Sequence, residues 1–256
     1  MTEFICHSFK MSRYNTPHSL VELQKNIQEI QQQVDAVCQR IGRNPEEVRL
    51  LPVTKTLPAE RVEQAYQLGF RCFGENRVLE AKGKYEALQH LPIQWILIGH
   101  LQTNKVKYVA KFIDEFHALD SIKLAEKLNH RLADAQRILP VFIQVNTSNE
   151  QSKFGVKPEQ ALALIEQCQQ YPQLKIIGLM TLAIHSKDPV EVRRCFRTLR
   201  LLRDDIQKNY PNIKRLSMGM SGDFEIAIEE GATDIRVGQA IFGARDLPDN
   251  YYWSEQ

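Results

Sequence analysis

The chain has 256 residues, 43% hydrophobic and 25% charged, with a formal net charge of +2. That balance is ordinary for a globular protein and gives no ground for nucleic acid or an acidic lipid surface as a partner. Its length suits one barrel or large α/β domain as well as it suits two small domains.

The opening stretch, "MTEFICHSFKMSRYNTP", lacks the apolar core of a secretory signal, and no later run reaches the roughly 18 apolar residues of a membrane span. A cytoplasmic protein with no membrane partner is expected. Residues 1–18 read as a flexible N-terminal extension, with Met11 as an alternative start. Five scattered cysteines, Cys6, Cys38, Cys72, Cys168 and Cys195, contain no CxxC pair and suit reduced thiols.

From Leu20 to Ile41 apolar residues recur at helical spacing (Leu20, Leu23, Ile27, Ile30, Val34, Val37, Ile41), which predicts a long amphipathic helix with Ser19 as its N-cap. Eight short strand-like runs follow: "VRLLPVTK", "RCFGEN", "QWILIGH", "EFHALD", "LPVFIQVN", "KIIGLMTL", "RLSMGM" and "TDIRVGQ". Helical segments such as "AERVEQAYQLG", "TNKVKYVAKF", "IKLAEKLNHRLADAQ", "EQALALIEQCQQY" and "VEVRRCFRTLRLLRDDIQKNY" separate them. Eight strands alternating with helices predict an α/β fold of the (β/α)8 TIM-barrel type, with the N-terminal helix as the extra one. No Pro/Gly/Ser-rich linker divides residues 19–256, so they read as a single barrel domain. The polar stretch 146–159, "NTSNEQSKFGVKPE", follows the fifth strand and reads as a lid or ligand contact over the barrel mouth.

Barrel active sites lie at the C-terminal ends of the strands. Lys55 stands at that end of the first strand and shares the parity of Leu51 and Val53, so it joins apolar neighbours on one face. A buried lysine needs an anionic partner, a depressed pKa or a covalent use. Asn76 ends the second strand, His100 the third, and Arg236 points inward two residues before Gly238 on the eighth. The loops after strands seven and eight, "MGMSGDFE" and "VGQAIFG", carry Gly219, Gly222, Gly238 and Ser221, and Ser217 stands immediately before the first of them. These loops commonly hold a phosphate in this architecture. Ser221 serves equally well as a cap for the helix "DFEIAIEEG". A lysine beside a phosphate cradle points to a phosphorylated carbonyl compound held as a Schiff base, and pyridoxal 5′-phosphate fits.

The segments "LLPVTKT", "FGEN", "WILIGHLQTNKVK", "SKFG", "IIGLMTL" and "LSMGMSGDFEIAIEEGATDIRVGQAIFGAR" resemble the pyridoxal-phosphate homeostasis protein family, a single-domain relative of the alanine racemase barrel. The resemblance spans residues 45–246. It implies that Lys55 attaches the cofactor covalently and that Asn76, Met180, Ser217, Ser221, Gly222, Arg236 and Gly238 line it. It also implies a role in intracellular vitamin B6 homeostasis and cofactor supply, with apo-enzymes as recipients and a monomeric state. Two positions depart from the family pattern: Leu57 stands where a second lysine is frequent, and Gln239 where a threonine is frequent.

The seven histidines include no HExxH and no paired ligand spacing, so no metal site is expected. His100 either contacts the cofactor or is hydrogen-bonded at the rim. The basic run "RRCFRTLRLLRDD" carries an apolar stripe (Val192, Phe196, Leu199, Leu202, Ile206) and reads as an outer helix with a solvated basic face, with no nucleic-acid partner. Asp114, Glu115 and Asp120 read as strand-end and helix-start acids. Three functional classes compete: a cofactor-binding protein without robust turnover, a pyridoxal-phosphate-dependent amino-acid racemase, and a Schiff-base lyase without the cofactor. The resemblance favours the first. The racemase relatives take their second base, a tyrosine, from a C-terminal domain with no counterpart before Gln256. A guanidinium at Arg236 can only donate to an unprotonated ring nitrogen, which weakens carbanion chemistry.

Overall fold

The computed structural model describes residues 14–150 and 152–244. The first amphipathic segment forms α1 (Leu20–Arg40), with the Glu22 N–H donating to the Ser19 hydroxyl as the expected cap and Leu23, Ile27, Ile30, Val34 and Val37 buried. Strands and helices then alternate in chain order: β1 (Arg49–Pro52), α2 (Ala59–Gln67), β2 (Cys72–Glu75), α3 (Val78–Ala87), β3 (Gln94–Leu97), α4 (Val106–Phe112), β4 (Ile113–Leu119) and α5 (Ile122–Asp134). They continue with β5 (Leu139–Gln144), α6 (Ala161–Cys168), β6 (Leu174–Met180), α7 (Pro189–Gln207), β7 (Arg215–Met220), α8 (Phe224–Glu229), β8 (Asp234–Val237) and α9 (Gln239–Phe242). Helix α3 has no counterpart among the segments that periodicity singles out. Its buried positions are Val78, Ala81 and Lys84, so a lysine stands where an apolar residue would have marked the stripe.

All strand pairs are parallel, in the order β1-β8-β7-β6-β5-β4-β3-β2. The seam between β1 and β2 is joined at a Val53–Gly74 bridge, where the Thr54 N–H donates to the Gly74 carbonyl at 3.0 Å. The sheet thereby closes into the expected (β/α)8 barrel. Strand β1 ends three residues before Lys55, because the Thr54 carbonyl accepts the Leu57 N–H and the chain turns there, with Thr56 at φ +66°.

Most apolar residues pack sheet against helices, but Leu51, Val53, Ile96 and Ile98 form a separate group without helical members, inside the barrel. Toward the N-terminal ends of the strands the interior is ionic. Arg49 bonds Asp234 at 2.6 Å and Glu115 at 2.7 Å, and Arg215 bonds the same two carboxylates. Glu115 is thus an interior ion-pair partner and not a residue beside a helix dipole. On α7 the buried stripe is Val192, Cys195, Phe196, Leu199 and Ile206, while Arg193, Arg197 and Arg200 converge on Glu230, so much of the basic face is paired with acids beside α8.

Of the expected extension, residues 1–13 lie outside the described residues. Residues 14–18 run against the barrel: Pro17 is buried, and the Tyr14 hydroxyl donates to the Ser221 carbonyl at 2.6 Å. Among the described residues no helix is long and apolar enough to cross a membrane. Cys38, Cys72, Cys168 and Cys195 are free thiols.

Candidate functional site

Lys55, Ser221, Gly222, Arg236 and Gly238 line one cavity of about 450 Å³ at the C-terminal ends of the strands. Its apolar wall includes Val53 and Ile98, and its outer wall is residues 182–187. Lys55 is 5% exposed, so its ammonium or amine is largely withdrawn from water. The β1 parity that places Leu51 and Val53 in the lumen carries through the turn to bring it there.

Arg236 enters from β8 and is also buried. One guanidinium nitrogen donates to Ser217 Oγ at 2.7 Å and another to the Thr181 carbonyl at 2.9 Å. Burial pulls its pKa down to about 10, against the pull of Asp223 and Asp234, and it remains cationic at neutral pH. Below it, Ser217 Oγ lies 2.9 Å from His117 Nδ1, and His117 Nε2 lies 3.0 Å from Glu115. The direction of each bond follows from the charges. Burial pushes the Glu115 carboxyl up, but bonds from His117 and Arg49 outweigh it and hold the pKa far below the usual range, so Glu115 only accepts. Burial lowers the His117 pKa and favours the neutral ring, which then carries its proton on Nε2 and accepts from Ser217 at Nδ1. The Ser217 hydroxyl therefore donates a hydrogen bond to His117 Nδ1 and accepts one from Arg236.

The phosphate-type loops come together as their order along the chain requires. A Cβ placed on Gly222 would meet nothing within 4 Å, so that glycine opens onto free space, whereas one on Gly238 would come 3.1 Å from the Val53 carbonyl. Ser221 does not cap α8. Asp223 holds the N-cap position, with its carboxylate accepting the Met220 N–H at 2.6 Å, and Ser221 Oγ instead accepts the Ala240 N–H of α9 at 3.2 Å. The turn after β7 is thus tied to the turn after β8.

Three of the expected residues do not line the cavity. Ser217 lies beneath Arg236 and acts through it, Met180 is fully buried at the end of β6, and Asn76 follows β2 at the rim, 8% exposed. His100 stacks on Phe154 with ring centroids 4.0 Å apart and has Nδ1 3.5 Å from Asp120, also outside the cavity lining. Residues 182–187 line the cavity without having been singled out in the sequence, and Gln239, noted there only as a departure from the family pattern, lines it too. They follow the sixth and eighth strands directly, so the rule that barrel sites lie beyond C-terminal strand ends reaches them. The 146–159 loop doubles back, with Val145 bridged to Val156, and Lys153 Nζ donates to the Ala183 carbonyl at 2.7 Å. Among the described residues no group of three or more His, Cys, Asp or Glu side chains is placed to hold a metal ion.

Residues 23–246 match the family model described as alanine racemase, N-terminal domain. A protein of Aquifex aeolicus named pyridoxal phosphate homeostasis protein is 41% identical over 86% of this chain and 97% of its own length. One of the same name from Vibrio alginolyticus is 42% identical over 88% of this chain and 98% of its own. The structure of PipY of Synechococcus elongatus PCC7942 with PLP bound superposes with a TM-score of 0.73 at 34% identity, covering 82% of this chain and all of that one.

Proposed function

The chain belongs to the pyridoxal phosphate homeostasis protein family, on the alanine racemase N-terminal-domain barrel, and from that premise we propose that it binds pyridoxal 5′-phosphate in the cavity lined by Lys55 and Arg236 and serves the supply of that cofactor. The carrying observation is the donor set. A buried lysine, a buried guanidinium with fixed acceptors, and a glycine turn opening onto free space share one cavity of a size suited to a small ligand. These features match an aldehyde, a ring nitrogen and a phosphate.

When bound, the cofactor would supply an aldehyde able to condense reversibly with a primary amine, and Lys55 is the amine that the cavity would offer it. Lys55 holds the ligand reversibly in this way. Ser221, Gly222 and the turn at Gly238 offer hydroxyl and backbone donors to the phosphate. Arg236, with Ser217 and Thr181 fixing its plane, presents a permanent donor suited to an unprotonated ring nitrogen, an arrangement for holding the cofactor more than for carbanion chemistry. The reading extends to a monomer that hands the cofactor on to enzymes lacking it.

Borohydride reduction of protein saturated with pyridoxal phosphate, followed by peptide mapping, should place the adduct on Lys55. Pyridoxal lacking the phosphate should bind at least ~10-fold more weakly, since charge-assisted hydrogen bonds contribute roughly 1.5–3 kcal/mol each. An adduct on another lysine, or equal affinities, defeats the assignment. Loaded protein mixed with an apo-enzyme should restore that enzyme's activity without itself racemising alanine.

A further inference from the structure

Between the barrel wall and α3, directly behind Lys55, lies a buried ion cluster that cofactor binding does not itself require. Glu75 is fully buried at the end of β2, and Lys84 of α3 is 6% exposed. All three donors of the Lys84 ammonium are used: Glu75 Oε1, Glu80 Oε1 and the Thr54 carbonyl, each at 2.7 Å. The Thr54 hydroxyl donates to the same Glu75 oxygen at 2.6 Å, and the Thr56 N–H donates to Glu80.

Stability alone is a poor reason for this cluster, since replacing a buried ion pair with apolar packing is frequently neutral or stabilising. Its contacts suggest another. Three of its bonds end on Thr54 and Thr56, the residues immediately before and after Lys55. Thr56 is a β-branched residue held at φ +66°, a conformation that persists only where its surroundings enforce it. Thr54 and Glu75 face α3 while Val53 and Lys55 face the lumen, so the cluster grips the outer side of the same short segment that presents the lysine inward.

We propose that Glu75, Lys84 and Glu80 are positioning residues that fix the direction in which Lys55 enters the cavity by clamping the peptide groups on either side of it. The inference rests on the reading of Lys55 as the cofactor's attachment point. An amine that must meet an aldehyde carbon along a defined line gains from such a clamp, whereas a ligand held by its phosphate and ring alone is indifferent to it.

The test compares two ligands on full-length Thr54→Val, Glu75→Gln and Lys84→Met proteins. Pyridoxal phosphate condenses with the lysine. Pyridoxine 5′-phosphate has the same ring and phosphate but a hydroxymethyl group in place of the aldehyde. We expect the variants to bind pyridoxal phosphate at least ~10-fold more weakly, with a slower rise of the absorbance of the lysine-bound form, and to bind pyridoxine phosphate within ~2-fold of wild type. Thr54→Val leaves the ion pairs in place and supplies a folded variant if either charge substitution disrupts folding. Parallel weakening of both ligands in step with lost thermal stability would make the cluster purely structural and overturn the inference. Unchanged affinity for both ligands would overturn it too. Wild-type protein run alongside separates the two readings: if it forms no reducible bond at Lys55, the attachment reading itself falls and takes this inference with it.

Discussion

The plane of Arg236 is set by two acceptors, Ser217 Oγ and the Thr181 carbonyl, and Ser217 accepts from it while donating its own O–H to His117 Nδ1. Ser217→Ala therefore leaves a guanidinium N–H and His117 Nδ1 without a partner in a buried site. Each such loss costs about 1–3 kcal/mol. Urea denaturation should show that full cost for Ser217→Ala, and a smaller one, about 1 kcal/mol, for Ser221→Ala, whose hydroxyl accepts a single N–H in a half-buried loop. Equal costs would mean that the chain from Arg236 to Glu115 is not coupled as its geometry implies. At this scale strand parity made Lys55 and Arg236 legible in the sequence, because a charged residue among apolar neighbours of one face is visible. Glu75 and Lys84 were not legible. A glutamate at a strand end and a lysine in a helix are ordinary solvated residues by pattern, and only the packing of α3 on the wall buries them.

Helices and strands meet most closely where a side chain would not fit, and substitutions at two glycines should separate those places from open ones. A Cβ on Gly99, just beyond β3, would stand 2.1 Å from the Asn76 carbonyl oxygen, so the chains leaving β2 and β3 touch backbone to backbone. Gly99→Ala should cost upwards of ~2 kcal/mol and weaken ligand binding, because it pushes apart two strand ends at the mouth. Gly83, exposed in α3, has nothing within 4 Å of a Cβ and sits in a helix interior, so Gly83→Ala should stabilise by about 0.5–1 kcal/mol. Thermal melts of the two variants check the opposite signs. The order of elements was nearly all legible in the sequence, since the strand runs are apolar and the helices amphipathic. The weak spots have one cause. Where side chains do the work of the ladder, as at Thr54–Thr56, or where a polar residue takes a core position, as at Lys84, periodicity does not register the element.

Across the whole barrel, buried titratable groups pull stability in opposite directions as pH changes, and the sum is predictable in sign. Glu115 and Asp234 are pushed up by burial but held well down by the surrounding bonds and by Arg49 and Arg215, so their contribution is present above the unfolded values of 4.5 and 3.8 and is lost as pH falls through the folded ones. His117 is held below its unfolded value of 6.5 by burial, so the unfolded chain takes up a proton first and stability declines as pH falls below 6.5. Glu75 runs the other way. Burial raises its pKa from 4.5 to about 7, outweighing the pull of Lys84, so the folded state binds the proton first and stability rises as pH falls through that interval. Each group changes the slope by at most about 1.4 kcal/mol per pH unit. In wild-type protein the His117 and Glu75 effects oppose one another below pH 6.5, and protonation of the two interior carboxylates adds a further fall at lower pH. Glu75→Gln removes one side of the balance, so its melting temperature should fall more steeply than that of wild type as pH drops below 6.5. Melting curves that run parallel from pH 8 to 4.5 would show that Glu75 titrates normally and that the charge buried behind Lys55 is fully paired.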